Sequence, residues 1–285
     1  MHGQTELMAE LEIAGQTADD KLNVGALALT LAATAKPERR REPYQRHLKK
    51  MADEVAAYVS GYRGQGTLLL RHEALVQIIH KRYGYVGNAS CFCDVDSANL
   101  MHVIENRSGL PVAIGIIYLH IAMDMGWMAT GVDFPGRFLI RLDTKEGRLI
   151  FDAFEGGNTL SAPDLRKLLK SVAGTTAELN ANHYRTAGTR AVLLRLQNNI
   201  KIRHLEAQCP EAALKVLETM IALAPSDSLL WHEAGILNSR LDQVQAAISA
   251  LENCLKHGSN EQAQYKASAL FTTSLNDQLK TSLAS

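Results

Sequence analysis

One apolar segment, Val112 to Met125, constrains this chain more than any other feature. Gly109-Leu110-Pro111 opens it and Gly126 closes it; proline is tolerated in a first helical turn and glycine ends one. It falls short of the roughly 20 residues that cross a bilayer, so its apolar sides must be covered by the protein itself. Ala113, Gly115 and Ala122 let neighbouring elements approach closely, which predicts a buried central helix. Three short strands are expected next, Ala129–Phe134, Arg137–Asp143 and Arg148–Phe154, separated by turns at Pro135-Gly136 and Thr144-Lys145-Glu146-Gly147. Upstream, helical spacing predicts a helix over 19–35 with Asp19 and Asp20 at its start, another from Pro43 to Gly61, a third over Leu68–Tyr83 and a short one over Ser97–Arg107. Residues 84–96 read as a loop. Helices, one buried helix and then an antiparallel sheet define an α+β domain.

The chain beyond Ala181 reads as helix alone, and it repeats. Glu211-Ala212-Ala213-Leu214 returns as Gln245-Ala246-Ala247-Ile248, and Leu217-Glu218 as Leu251-Glu252, at an offset of 34 residues. That is the period of the tetratricopeptide repeat, a pair of antiparallel helices. Ala213 and Ala247 fall where paired helices cross, Pro225 where the second helix stops, and Trp231 and Gly235 at the start of the next unit. About one and a half units are legible, with a capping helix expected near Gln262–Leu279. The expected division is an α+β domain over 1–181 and a helical-repeat domain over 182–285.

Composition narrows the function classes. Thirty Lys and Arg balance thirty Asp and Glu, for a net charge of +0. A neutral chain argues against a generic polyanion binder, so any partner must be recognised by a local surface. No signal peptide or membrane span is readable, and four cysteines, at 91, 93, 209 and 254, do not make a disulfide scaffold. The expected location is a reducing cytoplasm.

Several short stretches, weak singly, are telling in their order. They are Asp94-x-x-Ser97-Ala98-Asn99-Leu100, Arg107-Ser108-Gly109-Leu110-Pro111-Val112, Pro135-Gly136-Arg137-Phe138-Leu139-Ile140-Arg141 and Asp152-Ala153-Phe154-Glu155-Gly156-Gly157. Together they resemble the bacterial SirB-one family, which is similar to the transglutaminase-like superfamily and carries a tetratricopeptide-type tail. The resemblance implies a papain- or transglutaminase-like central helix on an antiparallel sheet. It also implies a catalytic set: a Cys at the helix N-terminus, a His on the following strands and an Asp to orient the His. A helix N-terminus and an imidazolium expose the thiolate, and the carboxylate holds the ring in its useful tautomer. Carried onto this chain, the Cys position falls at or beside Pro111, where Pro111, Val112 and Ala113 hold no nucleophile, the His position at Arg137 and the Asp position at Asp152. Proline offers no nucleophile, and arginine, with a pKa above about 12, cannot take up a proton.

These residues therefore point away from catalysis and toward a protein-interaction or regulatory module with a protein or peptide partner. The repeat groove and a vestigial cleft around Asn99, Pro111, Arg137 and Asp152 are the candidate surfaces. If the last two strands form a hairpin, residues 139 and 152 oppose each other, so Arg137 and Asp152 are diagonal neighbours able to form an ion pair. Two other classes stay open. A cysteine-dependent protease, amidase or transglutaminase would use Cys91 or Cys93 and need His102 or His120 as base. A regulator touching DNA would use the basic stretch Lys36, Arg39-Arg40-Arg41, Arg46, Lys49 and Lys50. No cofactor or metal is expected, since Cys91-Phe92-Cys93 is too weak a ligand spacing.

Overall fold

In the computed structural model residues 2–62 and 67–258 are described. They form two compact units: Thr17–Leu196 with the first residues of the chain, and Met8–Gln16 with the chain from Gln197 onward. The expected helix over 262–279 lies outside the described residues.

The first unit is built on the predicted buried helix. In chain order its helices are α2 (Val24–Ala35), α3 (Glu42–Ser60), α4 (Leu68–Leu75, continued by a π-helical stretch Val76–Arg82), α5 (Leu100–Asn106), α6 (Pro111–Asp124) and α7 (Ala162–Ala173). They follow α1 (His2–Gln16), whose later residues belong to the second unit. Pro111 takes a first-turn position of α6, and ten residues of that helix are buried. A two-stranded parallel pair, β1 (Val86–Gly87) with β2 (Ser108–Gly109), precedes α6. The main sheet comprises β3 (Met128–Phe134), β4 (Arg137–Thr144), β5 (Gly147–Asp152), β6 (Asn158–Thr159) and β7 (Thr186–Ala187), in the order β6-β5-β4-β3-β7.

Alternation along the strands sends successive side chains to opposite faces. One face lies under α6. A Cβ at Gly115 would come within 2.5 Å of the Phe138 ring, so glycine is what lets α6 approach β4 here. The other face carries Val132, Phe134, Leu139 and Ile150, packed with Leu165 and Leu169 of α7. The apolar core thus forms two layers with the sheet between them.

Three local expectations change. Asp19 and Asp20 do not start α2: they lie in a 3₁₀ turn, Asp19–Lys21, and Asn23 caps α2 by accepting from Ala26 N at 2.9 Å. Asp19 instead accepts from the backbone N–H groups of Thr189 and Arg190, at 2.9 and 2.7 Å, capping α8 (Thr189–Glu206) from 170 residues away. The expected loop over 84–96 contains β1 and two 3₁₀ turns, whose first N–H groups are taken by Asn88 and Asp94. Residues 182–196, grouped with the tail in the sequence, pack in the first unit because β7 pairs with β3 through Gly131↔Ala187.

The second unit holds the later part of α8, then α9 (Pro210–Leu223), α10 (Ser228–Arg240) and α11 (Val244–His257). Gly235 sits against Leu251 so closely that a Cβ would come within 2.7 Å of it. Ala213 and Ala247 are fully buried. The Trp231 indole N–H donates to the Pro225 carbonyl at 2.7 Å, and its ring packs on Leu251 and Cys254. From α1, Gly15 lies against the Ala222 carbonyl and Pro225, so that part of α1 is a further helix of this unit.

Candidate functional site

Register brings Arg137 and Asp152 together. β4 and β5 pair with Ile140 opposite Phe151, which extends to 139 opposite 152. Arg137 Nη1 donates to Asp152 Oδ2 at 3.0 Å and to Glu155 Oε1 at 3.0 Å. Asp152 is 3% exposed, and its other oxygen accepts from the N–H groups of Phe154 and Glu155, at 2.9 and 3.4 Å. Burial pushes the Asp152 carboxyl above the usual carboxylate value, opposed first by the guanidinium and then by those two N–H groups. The site is a knot in which one carboxylate holds both a cation and the following turn.

The knot faces away from α6. Arg137 lies directly opposite Phe134, on the sheet face that α7 covers. Pro111 stands at the N-terminus of α6, on the other face. Asn99 is committed elsewhere: its Oδ1 caps α5 by accepting from Met101 N and His102 N, at 3.0 and 3.3 Å, and its Nδ2 donates to the Ala32 carbonyl at 3.2 Å. Asn99 and Pro111 are close along the backbone, since Leu110 N donates to Ser97 O at 2.9 Å. No hydrogen bond links Asn99 to Arg137 or Asp152 among the described residues. Of the four candidates, the structure joins two and leaves two apart.

Of the two thiols the sequence offered, the described residues include the side chain of Cys91. Cys91 is buried, and its sulfur lies 3.4 Å from Ser108 Oγ. Among the described residues no imidazole nitrogen is within hydrogen-bond reach of it. His102 Nε2 lies 3.7 Å from Asp94 instead. The Cys93 side chain lies outside those described. No group of three His, Cys, Asp or Glu among the described residues could hold a metal ion. In the basic stretch, Lys36 pairs with Asp96 at 2.6 Å, Arg39 with Glu105 at 2.7 Å, and Lys49 with Asp53 and Asp124 at 3.2 Å each.

Two supporting clusters were not read from the sequence. The turn after Asp152 is clamped from the π-helical side: His72 Nε2 lies 2.7 Å from the Gly157 carbonyl, while Gly156 and Gly157, both at positive φ, fit against His80 and Val76. Beside β1, Arg107 Nη1 donates to His47 Nε2 at 2.6 Å and also to the Tyr85 hydroxyl. Burial, reinforced by Arg107 and Lys50, pushes the His47 pKa down to about 4. The Arg107-Ser108-Gly109 and Glu155-Gly156-Gly157 runs were the only signals for either cluster.

With the geometry in place, comparison with known proteins defines the class first: a transglutaminase-like domain followed by tetratricopeptide helices. The chain belongs to the transglutaminase-like superfamily, which matches residues 42–198, and the tetratricopeptide repeat matches residues 200–272. Its relatives are SirB-like. It is 25% identical to a UPF0162 protein of Xylella fastidiosa over 218 residues, covering 75% of this chain and 74% of the relative. It is 33% identical to a UPF0162 protein of Pseudomonas aeruginosa over 171 residues, 58% of this chain and 62% of the relative. It is 25% identical to protein SirB1 of Salmonella typhimurium over 179 residues, 63% and 66% of the two chains.

Proposed function

We propose that this protein is a non-catalytic member of its superfamily, a protein-interaction or regulatory module working in the cytoplasm through a protein or peptide partner rather than nucleic acid. One observation carries the reading. Arg137, at the position of the base, is bonded to the buried carboxylate that would orient a histidine. A permanently charged guanidinium held there cannot shuttle a proton. Pro111, at the helix N-terminus, supplies no thiol, and the Arg137–Asp152 pair points to the opposite sheet face. The tail supports a binding role, since stacked helix pairs present an extended surface suited to a peptide or helix. Internal pairing of Lys36, Arg39 and Lys49 weakens the case for DNA.

Affinity capture tests the reading. Wild type is compared with Glu155→Lys, which inverts an exposed charge beside the pair, and Leu229→Glu, which places a charge on the exposed side of α10. At least one variant is expected to lose a partner that wild type retains. If both capture the same set as wild type, the two surfaces are wrong. Turnover of a glutamine- or amide-bearing peptide by the purified wild type would overturn the non-catalytic reading.

A further inference from the structure

At the end of α6 remote from Pro111, about 20 Å along the helix axis, the first unit holds a cleft of about 880 Å³. Its walls are the Asp19–Val24 stretch, the last turns of α6 with Trp127, the start of β3, and the junction of β7 with α8. Asp19 ties two of these walls together through its bonds to Thr189 N and Arg190 N. The volume is in the range that takes a small organic ligand.

The lining has a definite chemistry. Leu119, Ala129 and Val192 are buried apolar wall. His120 stands in that wall with its ring against Gly25, where a Cβ would come within 2.5 Å of Cγ. The ring makes no hydrogen bond to the described residues. Burial lowers its pKa, so at neutral pH it is uncharged, with one N–H donor and one nitrogen acceptor. Both are left for a ligand. Trp127, with the Arg71 guanidinium 5.5 Å from its ring centre, and the thioethers of Met123 and Met128 complete the lining, and such groups favour an aromatic guest. Three carboxylates, Asp19, Asp20 and Asp124, face one ammonium, Lys21. The cations answering Asp19 and Asp124 are Arg190 and Lys49, and neither belongs to the lining. Asp20 has no partner among the described residues.

We propose that this cleft binds a small aromatic or heteroaromatic amine, its ring against Trp127 and the methionines, its polar edge at His120 and its ammonium toward Asp20. The proposal is independent of the Arg137–Asp152 reading, because it uses the other sheet face and the other end of α6. The carboxylates disfavour acidic ligands of the same shape.

The test titrates the full chain, by calorimetry and ligand-observed NMR, with three molecules of one ring and different charge: tryptamine, indole and indole-3-acetate. Tryptamine is expected to bind at least about tenfold more tightly than indole-3-acetate, with indole between them. Asp20→Asn is expected to bring tryptamine toward indole. Met128→Lys alters a residue 70% exposed, so it leaves the fold intact, and is expected to abolish tryptamine binding. His120→Gln is expected to weaken tryptamine and indole alike. Failure of wild type to bind tryptamine, an affinity order indifferent to charge, or binding unchanged in Met128→Lys and Asp20→Asn would each overturn the proposal.

Discussion

The two faces of the main sheet have been put to opposite uses. On the α7 face, Arg137 and Asp152 form a closed knot in which the carboxylate accepts from a guanidinium and two backbone N–H groups. On the α6 face, His120 lines a cleft with neither ring nitrogen bonded among the described residues. Buried polar groups are costly unless bonded, so a saturated group stabilises the fold, whereas an unspent one is available for binding. Arg137 and Asp152, which the proposed reading places at catalytic positions, belong to the first kind. His120, named in the sequence only as a candidate base for a thiol, belongs to the second.

That contrast can be broken by substitution, and the largest effect is expected at the knot. Asp152→Ala strands the guanidinium and frees two N–H groups, so denaturant unfolding should show a loss of ~3–5 kcal/mol. A loss below about 1 kcal/mol would mean the knot is not closed. Arg137→Met should cost ~2–4 kcal/mol at neutral pH, because it leaves a buried carboxylate unpaired. This variant also carries a pH signature. Burial already raises the folded pKa of Asp152 above its unfolded value, and removing the cation raises it further. A carboxyl with a raised folded pKa binds its proton more readily when folded, so stability improves as pH falls through that pKa. The deficit of Arg137→Met against wild type should therefore be full at neutral pH and shrink under acid, read from unfolding curves across the range. At the cleft, Asp19→Ala removes the cap of α8 and should cost ~1 kcal/mol, together with weaker tryptamine binding by titration. Glu155→Gln should be smallest, under about 0.5 kcal/mol, because that carboxylate is largely exposed. A larger cost would place Glu155 inside the knot.

Much of the fold was legible because its signals are local. The apolar run from Val112, its flanking Pro111 and Gly126, and the turns at Pro135-Gly136 and Gly147 mark one helix and three strands in the right order. The 34-residue offset marks the paired helices of the tail. The Arg137–Asp152 pair followed from strand register alone. What was missed depends on partners far away in the chain. Asp19 looks like the cap of the helix that follows it, but its carboxylate is taken by α8. Two-residue strands such as β7 carry too few side chains to show a period. The sheet face occupied by Arg137 depends on which helix covers which side, which sequence spacing does not encode. His120 stands out in sequence only as a candidate base for Cys91 or Cys93, and it is the packing of Gly25 and β3 around it that opens the cleft.

The central claim is that the Arg137–Asp152 charge pair interlocks the sheet. A double-mutant cycle with Arg137→Met, Asp152→Asn and the two combined measures it most directly, through unfolding free energies at neutral pH. The account predicts a coupling of about 2 kcal/mol or more between the two side chains. A coupling within about 0.5 kcal/mol of zero would contradict it, because the two groups would then be independent and the knot only an apposition.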